Sequence, residues 1–232
     1  MTLTSDALAT ELDRLLSVER FHDDSWNGLQ VANSGRIGSI CAGVDASLPF
    51  FEAAVARGAG MVLCHHGISW GTSLARITGL NYRLVSFLLR HDVALWACHL
   101  PLDAHPVHGN NAVLARLLGL RQRRPFADYH GQLIGIRGEL SQAVAFDAFA
   151  DRVRRLVNPQ AAVHPFGKRR VKRIGIVSGG AASEVAEAVK EGLDAYVTGE
   201  PSLEGYNRAL QEEMNVIYAG HYATEVFGVQ AL

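Results

Sequence analysis

Apolar and polar residues recur along this chain in two periods, and each change of period marks an element. Leu8, Leu12, Leu15 and Leu16 follow a helical spacing, which predicts an amphipathic helix over 5–17. The stretch DDSWNGLQ (23–30) has the composition of turns. SICAGV then predicts a strand over 39–44, and 47–57 a helix that stops at Gly58, a plausible C′ glycine. The apolar run at 60–64 reads as a buried strand, 80–90 as a helix and VALWACH (93–99) as a strand. Asn110 or Asn111 is placed to cap a helix through Leu118. The texture changes from Arg121 to Arg173, where a strand-like QLIGIRG precedes a helical FDAFADRVRRLV and a basic KRRVKR. A strand–turn–helix–strand order then returns, in IGIVSGG, a helix over 183–191, DAYVTGE, a helix over 203–213 and NVIYAGH.

That return reads as an internal repeat. A shift of 134 positions lays Ile40–His66 on Ile174–Glu200 without a gap. Identities are few: Ile40/Ile174, Ala54/Ala188, Val55/Val189 and Gly58/Gly192. A shift of 122 lays WACHLPLD on YAGHYATE, so that His99 meets His221 and Asp103 meets Glu225. Both copies place H-x-x-x-[D/E] just past an apolar strand, a polar pair that core packing does not require. The expected fold class is therefore α/β, with two similar α/β lobes from an internal repeat. The lobes are 1–120 and 174–232, with 121–173 an intervening strand–helix segment.

The 232 residues carry a net charge of -1, with 48% hydrophobic and 19% charged side chains. This is globular composition, and bulk charge gives no pull toward nucleic acid or anionic membrane. The start, MTLTSDALATELDRLL, lacks the basic beginning and long apolar core of a signal peptide, and no apolar run reaches bilayer-spanning length. Cys41, Cys64 and Cys98 are too few and too scattered for a disulfide framework or a cysteine zinc site. A reduced, cytoplasmic protein is expected.

The chemistry gathers at strand ends. Beyond the carboxyl ends of strands, where open α/β sheets place functional groups, lie His65, His66, His99, Asp103, Glu200, His221 and Glu225. Imidazoles mixed with carboxylates suit divalent zinc, iron, manganese or nickel. Five or six donors exceed one catalytic metal and suit two sharing a bridging carboxylate. Two metals would also explain the adjacent pair His65-His66. Strict alternation sends neighbours to opposite faces, but at a strand end before Gly67 they can splay toward different metals.

Seven segments resemble the NIF-three-like family, whose bacterial members are often labelled GTP cyclohydrolase type 2 homologues or dinuclear metal-centre proteins. They are NGLQV (27–31), LCHHG (63–67), HLPLDAH (99–105), GNN (109–111), SGGAA (178–182), TGE (198–200) and AGHYATE (219–225). The resemblance implies two similar α/β lobes with a dinuclear metal site between them. It assigns His65, His66, Asp103, His221 and Glu225 as metal ligands, with Glu225 bridging. It places His99 and Glu200 beside the metals as positioning or acid/base groups. Internal symmetry with His221 instead makes His99 a ligand. Family members tend to form toroidal hexamers, so a homohexamer is expected. Relatives usually continue into a terminal helix where this chain stops at Leu232, so part of that packing is expected to be missing.

Other residues have plainer readings. Glu200 serves equally as a cap for the helix after Pro201. His105 suits a turn, Cys64 and Cys98 small core positions, Gly179-Gly180 a tight turn, and KRRVKR a solvated edge. The leading expectation is a metal-dependent hydrolase with a small-molecule substrate, a purine nucleotide on the family label. His99 or Glu200 would move protons. The alternatives are a metal store or delivery protein, or a regulatory interaction scaffold.

Overall fold

The parallel-strand signal of the sequence produces two separate sheets in the computed structural model of the chain, which describes residues 3–232. The chain divides into two units, Met1–Leu102 and Asp103–Leu232.

The first unit contains α1 (Ser5–Leu16), β1 (Gly28–Val31), β2 (Ile40–Asp45), α2 (Leu48–Ala56), β3 (Met61–His66), α3 (Gly79–Arg90) and β4 (Ala94–Ala97). Thr4 caps α1 by accepting from the Ala7 amide at 3.2 Å. The sheet order is β1-β4-β3-β2, with β2, β3 and β4 parallel and β1 antiparallel to β4. Phe51 of α2 and Leu88 of α3 pack with Val62 and Leu95 of the inner strands in one buried core. Truncating Leu88 to alanine there should cost roughly 2–5 kcal/mol. Cys64 and Cys98 are buried, as expected of small core residues. The strand β1 was not expected. Its first residue, Gly28, has φ 107°, and the preceding turn residues hide the strand period.

A short helix, α4 (Leu100–Ala104), contains the division between the units. The second unit continues with α5 (Asn110–Leu117), β5 (Arg121–Tyr129), β6 (Gln132–Ala145), α6 (Phe146–Leu156), β7 (Ala162–His164), β8 (Arg170–Ile176), α7 (Val185–Lys190), β9 (Ala195–Thr198), α8 (Leu203–Gln211), β10 (Asn215–Tyr218) and α9 (His221–Ala231). Its sheet order is β5-β6-β8-β9-β10-β7. Strands β8, β9 and β10 are parallel, and β7 is antiparallel to β10.

Each sheet thus holds three parallel strands with an antiparallel strand beside the last. The registers run in step. Ile40 pairs with Met61, and Ile174 with Ala195, an offset of 134 at both ends. The Cys98 amide donates to Cys64 O at 2.9 Å, and the Ala219 amide to Thr198 O at 2.7 Å. The last strands therefore correspond at an offset of 121, and Gly220, at φ 94°, is one extra residue before His221.

Two expectations change. KRRVKR is not an edge: most of it opens β8, which lies between β6 and β9. Its charges stay solvated or find partners, Lys168 on Asp194 at 2.7 Å and Lys172 on Glu139 at 2.8 Å. Asn110 and Asn111 are buried and make no side-chain cap for α5, whose cap position is Gly109. The last motif itself opens a helix, α9, whose Gly228 amide donates to Asn110 Oδ1 at 2.6 Å.

Candidate metal centre

In the first unit the imidazoles are aimed by their Nδ1 atoms. His65 is buried, and its Nδ1 donates to Cys98 O at 2.9 Å, beyond the end of β4. His66 Nδ1 donates to Asp45 Oδ1 at 2.8 Å, at the end of β2. The neighbours on β3 are therefore tied to strands on opposite sides of it, and their ring centroids stay 4.7 Å apart. His99 Nδ1 donates to Asp23 Oδ1 at 2.9 Å. A carbonyl or carboxylate has no proton to give, so each Nδ1 carries one, and in the neutral ring Nε2 is then the ligand atom. Ligand atoms of His65, His66 and His99 lie within 4.8 Å of one another. A ring fixed through one nitrogen by an oxygen acceptor is the usual state of a metal-ligating histidine.

Asp23 was missed by sequence reasoning. Burial pushes its carboxyl pKa up, but its bonds to His99, Asn27 and Ser25 outweigh that and hold it below the usual carboxylate range. It also accepts from the Leu100 amide at 2.9 Å, while Asn27 Oδ1 accepts from the His99 amide at 2.7 Å. Asp45, also missed, could have been found by the strand-end rule that selected the histidines. Trp70 meets His99 edge-on at 4.9 Å, on a loop stapled by Gln30 Oε1 to the Ile68 amide at 2.8 Å. Gly67 makes room for that staple, since a Cβ there would collide with the Gln30 side chain and with Ala97.

In the second unit the centre is anionic. His221 and Glu225 stand one turn apart on α9, with Nε2 and Oε1 at 3.1 Å. His221 Nδ1 meets Glu200 Oε2 at 3.2 Å. Hydrogen bonding to Glu225 raises the His221 pKa to about 9, and burial only partly offsets the two carboxylates. Glu200 therefore does not cap α8; Ser202 does, accepting from the Gly205 amide at 3.0 Å. Gly179 forms the wall. At φ 70° it lies where side chains are strained, and a Cβ would strike Glu225 Oε1. Its amide donates to Thr224 Oγ1 at 3.0 Å. The tight-turn reading of Gly179-Gly180 is thus incomplete.

Asp103 is buried, and its Oδ1 accepts from Asn110 Nδ2 at 2.8 Å and Ser178 Oγ at 2.7 Å. Asn111 Oδ1 accepts from the Ser178 amide at 2.8 Å. His105 behaves as a turn residue, its Nδ1 accepting from the His108 amide at 2.9 Å.

The three imidazoles of the first unit form a group able to hold a divalent metal, and His221 and Glu225 offer it a further nitrogen and oxygen donor. Two bonds of about 2.1 Å at right angles put their ligand atoms about 3 Å apart, close to the His221–Glu225 separation of 3.1 Å. Glu200 would then hold His221 as Asp23 holds His99. No helix among the described residues is long and apolar enough to cross a membrane, and no disulfide joins Cys41, Cys64 or Cys98.

The chain is 43% identical over 227 residues to a GTP cyclohydrolase 1 type 2 homolog of Deinococcus radiodurans, covering 98% of this chain and 86% of that relative. It is 40% identical to the homolog of Archaeoglobus fulgidus, covering 95% and 88%. Among solved structures it resembles protein ybgI, described as of unknown function, with a TM-score of 0.90, 32% identity and coverage of 98% and 91%. Reduced HcgD from Methanocaldococcus jannaschii shares the fold at a TM-score of 0.85 and 22% identity, with coverage of 99% and 92%. The family described as Duf34/NIF3 (NGG1p interacting factor 3) matches residues 3–232, and with clustered His, Asp and Glu able to hold metal ions, the chain belongs to that family.

Proposed function

We propose that this chain is a metal-dependent hydrolase resembling GTP cyclohydrolase type 2, working with two divalent transition-metal ions. The observation that carries the reading is the Nδ1 anchoring of His65, His66 and His99, which leaves Nε2 of His65 and His66 to ligate and Nε2 of His99 to accept a proton. His65, His66, Asp103, His221 and Glu225 would hold the metals, with Glu225 bridging. The donors suit zinc, iron, manganese or nickel. Bound, such metals lower the pKa of a coordinated water toward neutrality.

This chain's own groups supply the rest. Asp23 keeps the proton on His99 Nδ1, so His99 Nε2 is the atom that accepts one. Glu200 orients His221 and, being half-exposed, can exchange protons with solvent. Asn110 and Ser178 fix the Asp103 carboxylate through one oxygen.

The matched registers support an internal duplication, with 1–120 and 174–232 as the two lobes, 121–173 between them and a shared metal site. In this reading β7 is the counterpart of β1. The proposed setting is the reduced cytoplasm, and the proposed assembly a homohexamer. Leu89 on α3, 60% exposed, and Leu203 on α8, 80% exposed, are side chains that partner copies would cover. The proposed substrate is a purine nucleotide, as the relatives' names suggest.

Turnover of GTP and a panel of nucleotides, phosphoesters and cyclic amides by metal-loaded protein tests the reading. Activity above a His65→Ala/His66→Ala control is expected. No turnover of any panel member, with metals loaded, would leave a metal store or delivery protein, or an interaction scaffold, in place of the hydrolase.

A further inference from the structure

Trp26 is 64% exposed, yet its indole is held in place. Its Nε1 donates to Gly71 O at 2.8 Å, and its backbone amide to Ser69 O at 3.0 Å. Both carbonyls belong to the loop that follows β3. That loop is itself clamped, by the Gly71 amide on Asp24 O at 2.8 Å, a bridge between Ser25 and Trp70, and the Gln30 staple. It carries Trp70, whose Nε1 ends on Gly67 O at 2.8 Å and whose ring meets His99 at 4.9 Å and His66 at 6.0 Å. Ring contacts thus join buried His65 to half-buried His66, His99 and Trp70, and the loop that carries Trp70 also holds exposed Trp26 through its carbonyls.

Core packing does not account for Trp26, because a tryptophan kept for the core would be covered. An exposed aromatic face that cannot turn away costs little further ordering when a flat ligand settles on it. The geometry points to Trp26 as a stacking platform for the planar ring of the substrate, so that the ligand is an aromatic heterocycle of nucleobase type recognised by its π-face. The Trp26 N–H is spent on Gly71 and does not read a base edge. Stacking tolerates base identity because every base offers a π-face. Guanosine and adenosine should therefore bind alike. The inference rests on the hydrolase reading only for what happens to the ring afterwards.

Calorimetric titration of the full chain, metal-loaded, with guanosine, adenosine and ribose 5-phosphate tests it, with metal content measured on the same samples. Both nucleosides should bind within a few-fold of each other. Trp26→Ala should weaken both by about tenfold or more. Trp26→Phe keeps a π-face and should stay within about threefold of the parent chain. Trp26→Leu is apolar without a π-face and should behave as the alanine variant does, and metal content should not change in any of them. Unweakened nucleoside binding by Trp26→Ala, equal binding by the leucine and phenylalanine variants, or no nucleoside binding by metal-loaded parent protein would overturn the inference. A changed oligomeric state with unchanged nucleoside binding would overturn it too, making Trp26 a contact between copies. Failure of the hydrolase reading shows separately, as metals that do not load or as turnover that survives in the His65→Ala/His66→Ala control.

Discussion

The two units build their donor clusters on the same strand pattern and fill them with different donors, mostly imidazoles in one and carboxylates in the other. The position at the end of β2 is Asp45, whose carboxylate holds His66. Its counterpart at the offset of 134 is Gly179, which has no side chain, and the carboxylate arrives from α9 as Glu225. His66 itself corresponds to Glu200. One copy therefore presents three imidazoles, two of them backed by acids, while the other presents acids around one imidazole. A duplicated strand layout fixes where donors stand, and side-chain substitution sets what they donate. The sheets differ outside the pattern as well. In the first unit β2 is an edge strand, whereas in the second the β5–β6 hairpin covers β8.

Gly179→Ala against Asp45→Ala breaks this comparison most sharply. The new Cβ in the second unit meets Glu225 at a positive φ, so chemical denaturation should show a loss of about 3 kcal/mol, with metal binding impaired. Asp45 is exposed, and its loss should cost within about 1 kcal/mol of stability. Equal losses in the two variants would contradict the assigned difference.

Next in size is the effect of the acids behind the imidazoles. Asp23→Asn removes the buried carboxylate that sets the His99 tautomer and should lower turnover by roughly 10–100-fold, measured at full metal load. Glu200 is half-exposed, so Glu200→Gln should cost less than about tenfold. The reverse ranking would make Glu200, not Asp23, the principal positioning acid.

The contrast sharpens with pH. Before metal binds, Glu225 and Glu200 raise the His221 pKa from 6.5 to about 9. A raised histidine pKa stabilises the folded metal-free chain fully below about 6.5, and that contribution fades as pH climbs through about 9. Metal must displace the same proton. Affinity should therefore rise by up to about tenfold per pH unit from 7 toward 9, then flatten. Calorimetry in buffers of different ionisation enthalpy should detect the released proton near pH 7, and its absence would place His221 outside the metal shell. Smallest of all should be Lys172→Ala, which opens the solvated bond to Glu139 on the basic strand. Thermal melting should show a loss below about 1 kcal/mol, with metal load unchanged.

Helices and inner strands were legible because buried elements carry a period. The sequence signal failed at β1, whose first residue has a positive φ, and at β5 (RQRRPFADY), an edge strand with a proline and little apolar alternation. Candidate donors are legible by type and position at strand ends, which singles out His65, His66, His99, Asp103, Glu200, His221 and Glu225. What stayed hidden were the residues that aim them. Asp23 lies in a turn 76 positions from His99, and nothing local marks it. Asn110 and Asn111 looked like caps because their role depends on partners far along the chain, Gly228 for one and Ser178 for the other. The role of Gly179 as a wall depends on Glu225, 46 residues later by sequence number.

We propose that each chain holds two metal ions on His65, His66, Asp103, His221 and Glu225. Metal content per chain, by elemental analysis after loading with excess zinc, iron or manganese, tests it most directly in three proteins: the parent chain, His65→Ala/His66→Ala and His221→Ala/Glu225→Ala. The account predicts about two ions in the parent chain and no more than about one in either variant. A parent chain that never holds more than one ion, or a variant that still holds two, would contradict it.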